Sequence, residues 1–151
     1  MKLAEALQER ADLNRKIEQL QDRLSNNVLV QEGEQTAEDP EKLKDELDSA
    51  ILRLAALIAQ INQTNCTTIV EGRTLTALIA RKDALSLKIR LYKEIASTAS
   101  QTTYRARNTE IKIKSTISVA DWQAEIDQMS KELRLLDNQL QQSNCNTDLI
   151  E

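Results

Sequence analysis

Apolar residues recur at helical spacing along most of this chain. Leu3, Leu7, Leu13, Ile17, Leu20 and Leu24 line one face of a first predicted helix, which Asn26-Asn27 stops. Asp39-Pro40 is a start signal: the Asp can accept from free amides, and Pro occupies the first turn, where no amide is needed. Behind it, Leu43, Leu47, Ala50, Leu54, Leu57 and Ile61 repeat in steps of four and three, a heptad seam typical of coiled coils. A third helix is predicted from Thr74, after Gly72, with Leu75, Leu78, Leu85, Ile89, Tyr92 and Ala96 on one face. Ser118-Val119-Ala120-Asp121 reads as a capping-box variant opening a fourth, with Trp122, Ile126, Met129, Leu133, Leu136 and Leu140 at the same four-three spacing. Two stretches break the helical period. Val28-Leu29-Val30 is short and β-branched, and Glu110 to Ile117 begins with polar-apolar alternation, so both are predicted as β-like segments.

The second and fourth helices align under a shift of 79 positions, which places Leu43 on Trp122, Leu57 on Leu136 and Ile61 on Leu140. Under the same shift Gln63-Thr64-Asn65-Cys66 falls on Gln142-Ser143-Asn144-Cys145. A shift of 72 carries Leu3, Leu7, Leu13 and Ile17 onto Leu75, Ile79, Leu85 and Ile89. These offsets predict an internal duplication, pseudo-repeats 1–72 and 73–151, within one helical domain. The expected fold class is all-α: an antiparallel four-helix bundle built from two helical hairpins, with the β-like connections at one end and the Asn-Cys turns at the other.

Composition narrows the chemistry. The 151 residues contain no His, which removes the usual proton-transfer side chain near neutral pH and the commonest metal ligand. Bundle di-metal sites pair Glu with His, and Gly33 and Gly72 are isolated, so no phosphate-cradling loop is written here. Cys66 and Cys145 follow helix carboxyl ends, where the dipole disfavours a thiolate nucleophile. No enzyme activity, cofactor or metal is therefore expected. The start at Met1 runs straight into a polar helical pattern and no apolar run approaches the roughly 20 residues of a membrane span, so a cytoplasmic protein is expected.

The third helix carries a second apolar stripe, Ala80, Ala84, Leu87, Leu91 and Ile95, on a face well removed from the first. A surface helix needs one such face. Leu87, Leu91 and Ile95 are thus expected to form a homo-oligomer interface, most simply a two-fold dimer. Charge is uneven within a net −4: eight acids and two Lys between Glu32 and Asp48, against ten basic residues and three acids between Arg73 and Lys114. Tyr104, Arg105, Arg107, Lys112 and Lys114 form a candidate contact for nucleic acid or another anionic partner, with Tyr104 able to stack and the cations able to meet phosphates. Lys on the solvent side of a strand is equally the usual protection of a sheet edge. Asn62, Asn65, Arg73 and Asn144 mark a polar turn surface, a second candidate contact whose alternative is helix capping.

Met1-Lys2-Leu3-Ala4-Glu5-Ala6-Leu7, Val30-Gln31-Glu32-Gly33-Glu34 with Glu38-Asp39-Pro40, Ile61-Asn62-Gln63-Thr64-Asn65, Gly72-Arg73-Thr74-Leu75-Thr76, and Glu110-Ile111-Lys112 with Ser115-Thr116 resemble a bacterial family that carries the label septicolysin. The resemblance spans nearly the whole chain. It implies a helical fold, and the label implies a membrane-active lysin. Membrane-spanning strands use aromatic girdles, and the whole chain holds three aromatic residues, Tyr92, Tyr104 and Trp122, so the residues favour a structural or protein-interaction module over a lysin.

Overall fold

The computed structural model describes residues 1–102 and 111–151. Among these residues the fold is all-α, with four helices and one small two-stranded sheet: α1 (Leu3–Asn27), α2 (Pro40–Thr67), β1 (Ile69–Val70), β2 (Arg73–Thr74), α3 (Leu75–Ala99) and α4 (Val119–Asn146). The chain divides into two compact units, Met1–Thr74 with Gln142–Glu151, and Leu75–Gln141.

In the first unit α1 and α2 form an antiparallel hairpin. Leu3, Ala6 and Leu20 from α1 are buried, as are Leu43, Ala50, Leu57 and Ile61 from α2. Asp39 caps α2, its carboxylate accepting the Glu41 amide at 3.0 Å, and Pro40 takes the first helical position. At the loop end the buried Asn27 fixes the turn geometry: its Nδ2 donates to the Arg23 carbonyl at 2.8 Å, and its Oδ1 accepts the Glu38 amide at 2.9 Å. Thr64, fully buried, does the same at the other end. Its hydroxyl donates to the Gln60 carbonyl and accepts the Ile150 amide at 3.0 Å, fastening the last residues to α2.

The strands β1 and β2 pair antiparallel, Ile69 with Thr74 and Val70 with Arg73. Glu71 and Gly72 between them have φ of 49° and 79°, the two positive values of the tight turn that matches strand twist. Lys2 and Asp148 form an antiparallel bridge of their own, flanked by amide bonds from Leu3 to the Thr147 carbonyl and from Leu149 to the Met1 carbonyl, both 2.9 Å.

The second unit is also a helical hairpin. Ile89 and Ala96 of α3 pack with Ile126 and Met129 of α4, bordered by Leu85, Tyr92 and Leu133. Tyr92 and Trp122 stack at a tilt with ring centroids 4.8 Å apart, within the favourable range for an aromatic pair. Ser118 precedes α4, and its hydroxyl accepts the Asp121 amide at 3.3 Å.

Both sequence offsets recur in the helices. α1 and α3 each span 25 residues, with both ends displaced by 72, and α2 and α4 each span 28, displaced by 79. The Lys2–Asp148 bridge is the Thr74–Ile69 pair under the same two shifts. Glu9–Arg53 in the first unit becomes Arg81–Glu132 in the second, the same ion pair with its signs exchanged.

One expectation is corrected in detail. Residues 28–30 belong to no strand, and of the segment predicted from Glu110 to Ile117, whose first residue lies outside the described residues, only Lys112 makes an isolated β-bridge; the two-stranded sheet among the described residues lies at 69–70 and 73–74. Alternation or β-branching supplies only one half of a ladder, and a two-residue turn that returns the chain on itself supplies the other.

Candidate interaction surface

The outer face of α3 is built by the helix repeat. Ala80, Ala84, Leu87, Leu91 and Ile95 fall along one line, opposite the side that carries Ile89 and Ala96 into the core. All five are exposed, and Leu87, Leu91 and Ile95 keep 47%, 42% and 45% of their surface in solvent, so the second stripe is not consumed by the core of its own unit. At its carboxyl end the stripe runs into a groove of about 520 Å³ whose lining includes Ile95, Ala99, Ile113 and Ile117 together with Glu94 and Lys114. Ile113 and Ile117 belong to the segment that alternation predicts as β-like, and nothing in the sequence joins them to the helical stripe. They lie beyond the helix, in the segment leading to α4.

The matching face of α1 shows what the fold itself requires. A shift of 72 places Gln8, Asp12, Arg15, Gln19 and Arg23 at the five stripe positions, and all are polar. Asp12 accepts from Gln8 Nε2 at 3.0 Å and pairs with Arg15, a ladder laid out in solvent. Arg23 reaches Glu38 with two guanidinium bonds, one of 3.0 Å from Nε. Under the two offsets that pair corresponds to Ile95 and Ile117, two walls of the groove.

Charge on the first unit is neutralised locally. The two-pronged bond from Arg53 holds the Glu9 carboxyl below its ordinary range, and Arg23 does the same for Glu38. Lys2, 2.7 Å from Asp148, lowers that carboxyl too. On the second unit Arg81 pairs with Glu132 and Lys82 with Asp137 across the hairpin, while Lys88 sits 5.4 Å from the centre of the Tyr92 ring.

The other predicted positions divide. Tyr104, Arg105 and Arg107 lie outside the described residues, while Lys112 and Lys114 are exposed. Asn62, Asn65, Arg73 and Asn144 all belong to the first unit; Asn62 and Arg73 are exposed, Asn65 and Asn144 half-buried. Cys66 and Cys145, both exposed and neither in a disulfide, share that unit too. Cys66 is on the last turn of α2, and Val28 to Val30 are at the opposite end of the α1–α2 hairpin. Among the described residues no cluster of acids and thiols is arranged to hold a metal, and no helix is long and apolar enough to cross a membrane.

Residues 10–149 match the model of a family of unknown function, DUF6847. A crystal structure of a functionally unknown conserved protein from Corynebacterium diphtheriae is similar to this chain with a TM-score of 0.92 and 35% sequence identity, over 99% of each chain. No curated protein matches the chain.

Proposed function

The chain belongs to the DUF6847 family of unknown function, and we propose that it is a non-catalytic interaction module whose docking surface is the outer face of α3, used first of all to bind a second copy of itself. One observation carries the reading: five positions that are apolar and exposed on α3 are polar on α1, a helix of the same length at the same place in the pattern. The fold is therefore compatible with a polar face there. Keeping a Leu or Ile in water forgoes about 1.5–3 kcal/mol relative to burying it, a gain that association recovers. The equal helix spans and the sign-exchanged ion pair support descent of the two hairpins from one duplicated unit, after which only one acquired the stripe. The proposal places the protein in the cytoplasm, where exposed thiols such as Cys66 and Cys145 stay reduced.

Sedimentation equilibrium tests it. The parent is expected to self-associate at micromolar concentration, and Leu87→Glu with Leu91→Glu is expected to yield a monomer with the parent's helical circular dichroism. A parent that stays monomeric, or a double variant that still associates, rejects the surface.

A further inference from the structure

The stripe has an internal order that a second copy would read. Its small residues, Ala80 and Ala84, stand at the amino end, and its large ones, Leu91 and Ile95, at the carboxyl end, with Leu87 between. Asp83 and Arg90, both exposed and seven residues apart, share one flank of it. Resting on the docking surface proposed above, we infer that two copies meet through antiparallel α3 helices about a two-fold axis between Leu87 and Lys88.

That axis sets Ala80 against Ile95 of the partner subunit and Ala84 against the partner's Leu91. Each large side chain then faces a small one, the alternation that lets two helices interdigitate at close range. A parallel contact would instead stack Ala on Ala at one end and Ile on Ile at the other, leaving a gap beside a bulge. The same axis brings Asp83 to within two residues of the level of Arg90 of the partner subunit, about 3 Å along the helix and within side-chain reach, and symmetry makes that contact twice. In the single copy, and among the described residues, Arg90 pairs with Glu94, one turn along its own helix at 3.3 Å, an exposed pair with both side chains 62% in solvent that a partner's carboxylate can compete for. Lys88 would bring like charges together at the axis were it aimed along the stripe, but its ammonium is turned over the Tyr92 ring, toward the core side of α3. The centre of the contact is left to Leu87. Orientation is thus fixed by shape along the stripe and by charge beside it, the division of labour seen where electrostatics sets register.

Charge reversal separates this geometry from the docking surface itself. Dissociation constants are measured by sedimentation for the full chain and for Asp83→Arg, Arg90→Asp and the double variant, with circular dichroism to check helicity. Each single reversal sets like charges against one another twice, and the dimer is expected to weaken by roughly tenfold. The double reversal restores the opposition and is expected to return to within about threefold of the parent. If the parent dimerises and Leu87→Glu with Leu91→Glu abolishes it, yet the double reversal is as weak as the singles, the surface stands and the antiparallel register is overturned. If the parent does not dimerise, both fall.

Discussion

Gln8, Asp12, Arg15, Gln19 and Arg23 on α1 occupy the places that Ala80, Ala84, Leu87, Leu91 and Ile95 occupy on α3. Each helix turns its other face inward, each spans 25 residues, and each leads to a 28-residue partner running antiparallel. On α1 the outward face is spent on hydrogen bonds and ion pairs within the unit, Asp12 with Gln8 and Arg15, and Arg23 with Glu38. On α3 it offers only carbon. Because the two hairpins agree in helix length and in both sequence offsets, their difference on this one face does not follow from helix formation alone. An outward Arg and an outward Leu serve the same helix equally well; they differ in what they leave for another molecule.

Giving α1 the α3 face should produce the largest change. Arg15→Leu, Gln19→Leu and Arg23→Ile together copy the three large stripe residues onto the first unit. The variant then bears two sticky faces where the parent bears one, and a chain with two such faces no longer stops at a closed pair. Light scattering is expected to find species beyond the dimer that grow with concentration. A variant that assembles as the parent does would mean that Leu87, Leu91 and Ile95 act only in the surroundings of the second unit, with the groove formed by Ile113 and Ile117 as the needed part.

Asn27 marks the next difference. It is buried and uses both ends of its amide, whereas its counterpart under the shift of 72 is Ala99. Asn27→Ala would make the first unit resemble the second, but it strands the Glu38 amide, and a buried donor without an acceptor costs about 1–3 kcal/mol. Urea unfolding should register that loss, with hydrogen exchange quickening first at Glu38 and the start of α2. An unchanged midpoint would show that water replaces the side chain at no cost.

Much of this architecture was legible along the chain. Asp39-Pro40 and Ser118 mark helix starts because a cap is a local affair, decided within one turn. The offsets of 72 and 79 were readable for the same reason, since each helix carries its own buried face. Contacts made across the chain were not. Lys2 pairs with Asp148, and nothing near either residue announces it. The sheet was hidden because Glu71, a side-chain-bearing residue, takes the positive φ usually left to Gly or Asn, so Glu71-Gly72 did not read as a hairpin turn. The stripe on α3 was visible from its period, but its extension into Ile113 and Ile117 was not. Its trace was the pair of offsets, which turn the salt-bridged Arg23 and Glu38 into Ile95 and Ile117.

The smallest effect is expected where the two units agree in place and differ only in sign. Glu9 and Arg53 in one hairpin, and Arg81 and Glu132 in the other, join the same two helical positions. If position alone matters, Glu9→Arg combined with Arg53→Glu rewrites the first pair as the second and keeps the parent's urea midpoint. Either substitution alone sets like charges together and lowers the midpoint slightly, within the small range general to exposed ion pairs. Acid provides an independent reading. Hydrogen bonding from Arg53 lowers the Glu9 carboxyl from its ordinary 4.5, so the folded state holds that proton less tightly than the unfolded chain. The pair's contribution is therefore complete above that ordinary value and fades as pH falls through the lowered one. Glu9→Gln should flatten that part of the stability profile, while the double reversal should preserve it through a carboxylate at position 53. Should the double reversal lose stability at neutral pH, the two hairpins would differ in more than the sign of a shared contact, and local neighbours such as Leu13 and Ala50 on the first unit would have to account for the preference.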